Sequence, residues 1–98
     1  THGVYSLLEI HNMSNLYFSK LDLNQVILID DYALGMAKVN SPINFLLIGK
    51  NYINEQKIKD DLEKIFHKNI NIEWKNNSEN KLEINSQIER RGLIIYSK

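Results

Sequence analysis

An α+β fold is predicted for this chain: a mainly antiparallel sheet of about six strands, with one amphipathic helix (about 54–68) packed on one face. Three observations predict it. Strand-like segments recur through the sequence, either alternating, as in Ile70, Ile72 and Trp74, or continuously apolar, as in Val26–Ile29 and Ile43–Ile48. One stretch alone carries a clear helical period. Turn-forming residues, with the single proline Pro42, separate these segments at short intervals. Several strands, one helix and then further strands is the order of an antiparallel sheet covered on one side.

From the N-terminus, Val4–His11 reads as a strand, with Ser6, Leu8 and Ile10 on one face and Tyr5, Leu7 and Glu9 on the other. Asn12–Asn15 reads as a turn, and Leu16–Leu21 as the second strand of a hairpin. Val26–Ile29 is a short apolar run of the kind found in central strands, and Asp30-Asp31 interrupts it. Tyr32–Val39 reads as a further strand in which Gly35 marks a bulge. Asn40-Ser41-Pro42 breaks the chain, because Pro42 lacks an N–H and drives Ser41 toward extended geometry. Ile43–Ile48 is the strongest strand, closed by Gly49.

The helix is specified by several independent signals. Asn54 can cap it, Ile53 and Ile58 fit a hydrophobic staple, and Ile58, Leu62, Ile65 and Phe66 share one face. Glu55 suits the positive end of the dipole, and Lys64, His67 and Lys68 suit the negative end. Asn69 is the expected left-handed residue that closes it. Beyond it, Ile70–Lys75 reads as a half-buried strand, Leu82 and Ile84 begin another, Arg90-Arg91-Gly92 is a turn, and Gly92–Ser97 is the last strand.

At 98 residues the chain reads as a single α+β domain, 1–98, and its start at Thr1 rather than Met fits two expectations, a domain excised from a larger protein or a cloning remnant over Thr1, His2 and Gly3. Lys plus Arg and Asp plus Glu number 12 each. The zero net charge argues against duplex DNA or an anionic membrane as partner. There is no cysteine, which excludes disulfides, thiolate metal sites and a cysteine nucleophile, and fits a cytoplasmic setting. No apolar run approaches the roughly 20 residues needed to span a bilayer.

Candidate chemistry is sparse. Asp30-Asp31 at a strand end could hold Mg²⁺ or act as acid and base, with Asp22, Asp60 or Asp61 as further ligands, but a polar strand terminus is the simpler reading. His2, His11 and His67 show no ligand spacing. Ile48-Gly49-Lys50-Asn51 has only a fragment of a phosphate-loop pattern. The serines lack the neighbourhoods of hydrolase nucleophiles. No metal and no cofactor are therefore predicted.

These features favour a non-catalytic protein-interaction or regulatory module that associates through a sheet face or edge, with Tyr5, Leu7, Tyr17, Ile94 and Tyr96 as interface candidates. Its partner would be a protein, either a second copy or a host chain. One alternative is a small OB-like domain that binds single-stranded nucleic acid through Trp74, Lys75, Arg90 and Arg91. The other is an accessory domain of a larger enzyme, to which Asp30, Asp31 or His11 lends one group.

Overall fold

Ser6 and Glu9 decide how the structure begins. The Ser6 hydroxyl accepts the Glu9 N–H at 3.1 Å, and the Glu9 carboxylate accepts the Ser6 N–H at 3.0 Å. This reciprocal capping box starts helix α1, Leu7–Ser19. The backbone bond from Ser6 also holds the Glu9 carboxyl below its ordinary range. Ile10, Ser14 and Phe18, spaced by four, form the buried stripe. Ser14 is tolerated there because its hydroxyl donates to the Ile10 carbonyl at 2.6 Å.

The computed structural model describes residues 4–50, 53–76 and 92–97. After α1 come strand β1 (Gln25–Ile29), a one-turn helix α2 (Asp31–Leu34), β2 (Ile43–Gly49), α3 (Glu55–Phe66), β3 (Ile70–Asn76) and β4 (Gly92–Ser97). The sheet order is β3-β2-β1-β4. β1 runs antiparallel to both β2 and β4, whereas β2 and β3 are parallel. The sheet is thus mixed, and α3 is the crossover of a βαβ unit.

The α+β class stands, but the predicted sheet of about six antiparallel strands with a single helix does not. The hairpin predicted over Val4–Leu21 is helix α1. Its helical period is blurred because Leu8 and Leu16 are both 68% exposed, so apolar residues occur off the buried stripe. The strand predicted over Tyr32–Val39 contains α2 instead, and Gly35 ends that turn with φ 72°. Gly35 is a left-handed cap, the conformation glycine adopts without a Cβ clash. The strand predicted from Leu82 lies outside the described residues.

α3 follows expectation at its start, where the Asn54 side chain accepts the Lys57 N–H at 3.1 Å. Ile58, Leu62 and Phe66 are its buried face. It closes one residue past Phe66, at His67 (φ 55°), whose N–H donates to the Glu63 carbonyl at 2.8 Å. The predicted closing residue, Asn69, instead leads directly into β3.

Both helices and α2 pack on one face of the sheet. Ile10 and Phe18 of α1, Tyr32 of α2, and Ile58, Leu62 and Phe66 of α3 meet Val26, Leu28, Ile43, Phe45, Leu47 and Ile70 of the strands. A run of rings crosses this layer. Phe18 and Phe45, and Phe66 and Tyr5, lie edge-on at 5.4 Å between centroids, and Phe45 and Phe66 are tilted at 6.2 Å. Two tyrosines tie α1 to α3: Tyr5 donates to the Phe66 carbonyl at 2.6 Å, and Tyr17 to the Asp61 carboxylate at 2.7 Å. The opposite sheet face has its own smaller cluster of Ile27, Leu46 and Ile48, with Ile29 beside it.

Candidate functional site

Side chains alternate across a sheet, so the residues beside Leu46 and Ile48 on that second face follow from the register. Asn44 pairs with Asn71, Leu46 with Glu73, and Ile48 with Lys75. Polar residues therefore occupy the end of the face where β1 stops and β2 and β3 begin. There Ile29, Asp30, Asn44, Phe45, Asn71, Ile72 and Glu73 line a cleft of about 120 Å³.

Asp30 comes to this cleft at the junction of β1 and α2. Its backbone stands at φ 64°, ψ −141°, at the border of a region otherwise reserved for glycine, and its side chain makes no capping bond to α2. Asn44 and Asn71 are joined across the parallel pair, with the Asn71 amide donating to the Asn44 carboxamide oxygen at 2.8 Å. Glu73 lies 3.9 Å from Lys75 on the same strand face, a weak pair because both side chains are substantially exposed.

The cleft is large enough for a phosphate group but not for a whole nucleotide, so a nucleotide's base and sugar would lie over its rim. Mg²⁺ is held in many nucleotide sites by one or two carboxylates together with substrate phosphates. Asp30 and Glu73 are the carboxylates that line this cleft. Among the described residues, no group of three His, Asp or Glu side chains is placed to hold a metal by itself.

A larger groove, about 490 Å³, lies at the C-terminal end of α3 between Val39–Ser41 and Glu63, His67, Lys68 and Asn69. Its polar groups are occupied by local structure. Glu63 accepts the Ile70 N–H at 3.3 Å, and the Lys68 ammonium donates to the Val39 carbonyl. The smaller cleft differs in being lined by carboxylates from two elements, Asp30 after β1 and Glu73 on β3.

The sequence matches no protein-family model, and no curated protein sequence matches it. Solved structures do match. A toxin–antitoxin complex with AMP-PNP superposes with a TM-score of 0.72 at 12% identity, over 90% of this chain and 73% of that one. The complex of a tri-AMPylated Shewanella oneidensis HEPN toxin with its MNT antitoxin gives 0.58 at 9% identity, over 89% and 71%. A Sulfolobus solfataricus protein, provisionally assigned as a nucleotidyltransferase, gives 0.57 at 14% identity, over 94% and 80%. The chain shares its fold with these proteins.

This fold overturns the functional expectations drawn from the sequence. A mixed sheet with a βαβ unit is neither an OB-like barrel nor a generic antiparallel platform that docks through a face or edge, and the structures that share it come from toxin–antitoxin complexes and a provisionally assigned nucleotidyltransferase. The interface and nucleic-acid candidates named from the sequence lie on several elements. Tyr5 and Tyr17 are half-buried and bonded to α3, and Leu7 sits at 43% exposure at the start of α1. Ile94 is exposed on β4, whereas Tyr96 packs against the core. Trp74 also packs against the core from β3, and Lys75 points to the opposite face beside Glu73. Arg90 and Arg91 lie outside the described residues. Asp31 begins α2, and the ring of His11 bonds to the Ile95 carbonyl at 2.9 Å, joining α1 to β4.

Of the cleft residues, only Asp30 was singled out from sequence. Asn44 carried a usable signal as the one polar residue inside the apolar run Ile43–Ile48. Recognising Ile43–Asn76 as a βαβ unit would have placed it beside Asn71 and Glu73.

Proposed function

We propose that the chain binds a nucleoside triphosphate, carried with Mg²⁺, at the Asp30–Asn44–Glu73 cleft, and that it works as the nucleotidyltransferase-fold member of a toxin–antitoxin pair. The observation that carries this is the fold likeness to a toxin–antitoxin complex with AMP-PNP, over 90% of the chain. The cleft supports it with carboxylates from two elements and with Lys75, two residues along from Glu73, to offset phosphate charge. For the partner, the apolar side chains left exposed on α1, among them Leu8 and Leu16, offer a surface. No helix among the described residues is long and apolar enough to cross a membrane.

When bound, Mg²⁺ would neutralise phosphate charge and orient the chain of phosphates. Asp30 and Glu73 would hold it, and the carboxamides of Asn44 and Asn71 would meet phosphate oxygens or waters. Melting the protein with AMP-PNP and Mg²⁺ tests the nucleotide site. Saturation at a hundred times Kd stabilises by about 2.7 kcal/mol, and the melting temperature rises with it. Glu73→Gln reduces that rise. An unchanged melt at millimolar AMP-PNP contradicts nucleotide binding. Pairing is tested by co-expression with a HEPN toxin, where a stoichiometric complex is expected and separate elution of the two proteins is the contrary result.

A further inference from the structure

We infer that the free chain pairs with a second copy of itself through the outer face of α1, the two helices running antiparallel and crossing at Asn12. The inference goes beyond the pairing with a toxin proposed above and does not depend on the nucleotide site.

Ile10, Ser14 and Phe18 are the buried stripe of α1. Leu8, Asn12 and Leu16 repeat that spacing two residues earlier, about 200° around the helix, so they form a ridge opposite the core. All three are exposed, the two leucines at 68% each. The face around them is poor in charge. Among the exposed residues of Leu7–Ser19, Glu9 alone carries a formal charge, and its carboxylate is held by the Ser6 N–H. α3 is the contrast, with Glu55, Lys57, Asp60 and Lys64 exposed on its outer side, the pattern of a solvated helix. An uncharged face carrying two leucines suits contact with another uncharged helix.

The symmetry of the ridge points to a second copy. Leu8 and Leu16 stand four residues either side of Asn12, so the ridge reads the same in both directions. A two-fold contact needs such a patch, because each surface must complement itself. Antiparallel pairing about Asn12 sets Leu8 against the partner's Leu16 and Leu16 against the partner's Leu8. The two Asn12 carboxamides meet at the axis, where each can donate to and accept from the other, and one asparagine in an apolar helix contact fixes its register. Glu9 falls opposite the partner's Asn15, so like charges do not face each other. A parallel pairing would bring Glu9 beside the partner's Glu9 and align the helix dipoles unfavourably. α1 has 13 residues, about 20 Å of helix, so one helix pair falls short of the ~1,000 Å² of a stable interface. The dimer is therefore a weak one, with a Kd of about 0.1 mM.

Sedimentation equilibrium of the whole chain from about 10 µM to about 1 mM tests this. The average mass is expected to rise from 11.5 kDa toward twice that value. Leu8→Glu and Leu16→Lys, each alone and each with the circular dichroism of the wild type, are expected to stay monomeric, since each sets a charge against a leucine at both ends of the contact. Mixed in equal amounts they are expected to dimerise again. The two substituted positions then face each other with opposite charge, while the unaltered leucines meet at the other end. A wild type that is monomeric at about 1 mM overturns the inference and leaves the α1 face to the toxin. A dimer that survives both single substitutions, or a mixture of the two folded variants that stays monomeric, overturns the antiparallel contact at Asn12.

Discussion

Replacing Asp30 with glycine should stabilise the protein, although it removes a charged side chain from a cleft. The backbone at Asp30 (φ 64°, ψ −141°) places its Cβ where glycine alone sits without cost. A non-glycine residue held in such a region costs about 1–3 kcal/mol. Glycine also gives the unfolded chain more freedom, which takes back about 0.4–1 kcal/mol. The two effects leave a net gain of about 0.5–2 kcal/mol. Asp30→Ala is the necessary companion, because it removes the same carboxylate and its hydrogen bonds while keeping the Cβ. The difference between the two variants isolates the backbone. Urea unfolding at a common m-value measures it. A thermal melt should separate them by several degrees, at about 4–8 °C per kcal/mol for a domain of this size. If Asp30→Gly is no more stable than Asp30→Ala, the β1–α2 junction is not strained and the cleft is not shaped as described. The same pair of variants should bind AMP-PNP and Mg²⁺ more weakly than the wild type, so that stability and binding move in opposite directions for Asp30→Gly.

Three further outcomes follow from the packing. Ser6→Ala removes one half of the capping box and should cost about 0.5–2 kcal/mol in urea unfolding, whereas a neutral result would fit a strand at this position. Phe45→Ala takes out the ring between Phe18 and Phe66 and should cost about 3–5 kcal/mol, a large part of the total for a small domain, read as a steep drop in the urea midpoint. Burial first, and then the bond to Asp61, raise the Tyr17 hydroxyl pKa, and burial raises that of Tyr32. The folded state therefore keeps protons that the unfolded state releases, so stability is full below about pH 10 and falls as pH rises above it. Tyr17→Phe should flatten that alkaline decline and lower neutral stability by about 1–2 kcal/mol; an unchanged slope would show that the Tyr17–Asp61 bond does not hold in solution.

The sequence was most legible where one physical signal dominated. Val26–Ile29, Ile43–Ile48 and α3 with its Asn54 cap were clear because burial period and capping chemistry agreed. α1 was misread because alternation over Val4–His11 was weighed above the Ser6–Glu9 pair, whose spacing is that of a capping box. Leu8 and Leu16 made the segment look uniformly apolar. The direction of β3 was also missed. A strand, a helix of 12 residues and a strand with short connections is enough for a parallel crossover, yet the alternation of Ile70, Ile72 and Trp74 has the same appearance in either direction. That error hid the cleft, since Asn44, Asn71 and Glu73 meet only in the parallel register. The strain at Asp30 had no signal in its residue type, because its backbone angles are set by the turn between β1 and α2.

The most direct measurement is an amide NMR titration of the wild-type protein with AMP-PNP and Mg²⁺. Binding at the sheet end predicts that shifts concentrate at Ile29, Asp30, Asn44, Asn71 and Glu73 and that they saturate together. Shifts centred instead on Val39–Ser41 and His67–Asn69, or none at millimolar nucleotide, would contradict it.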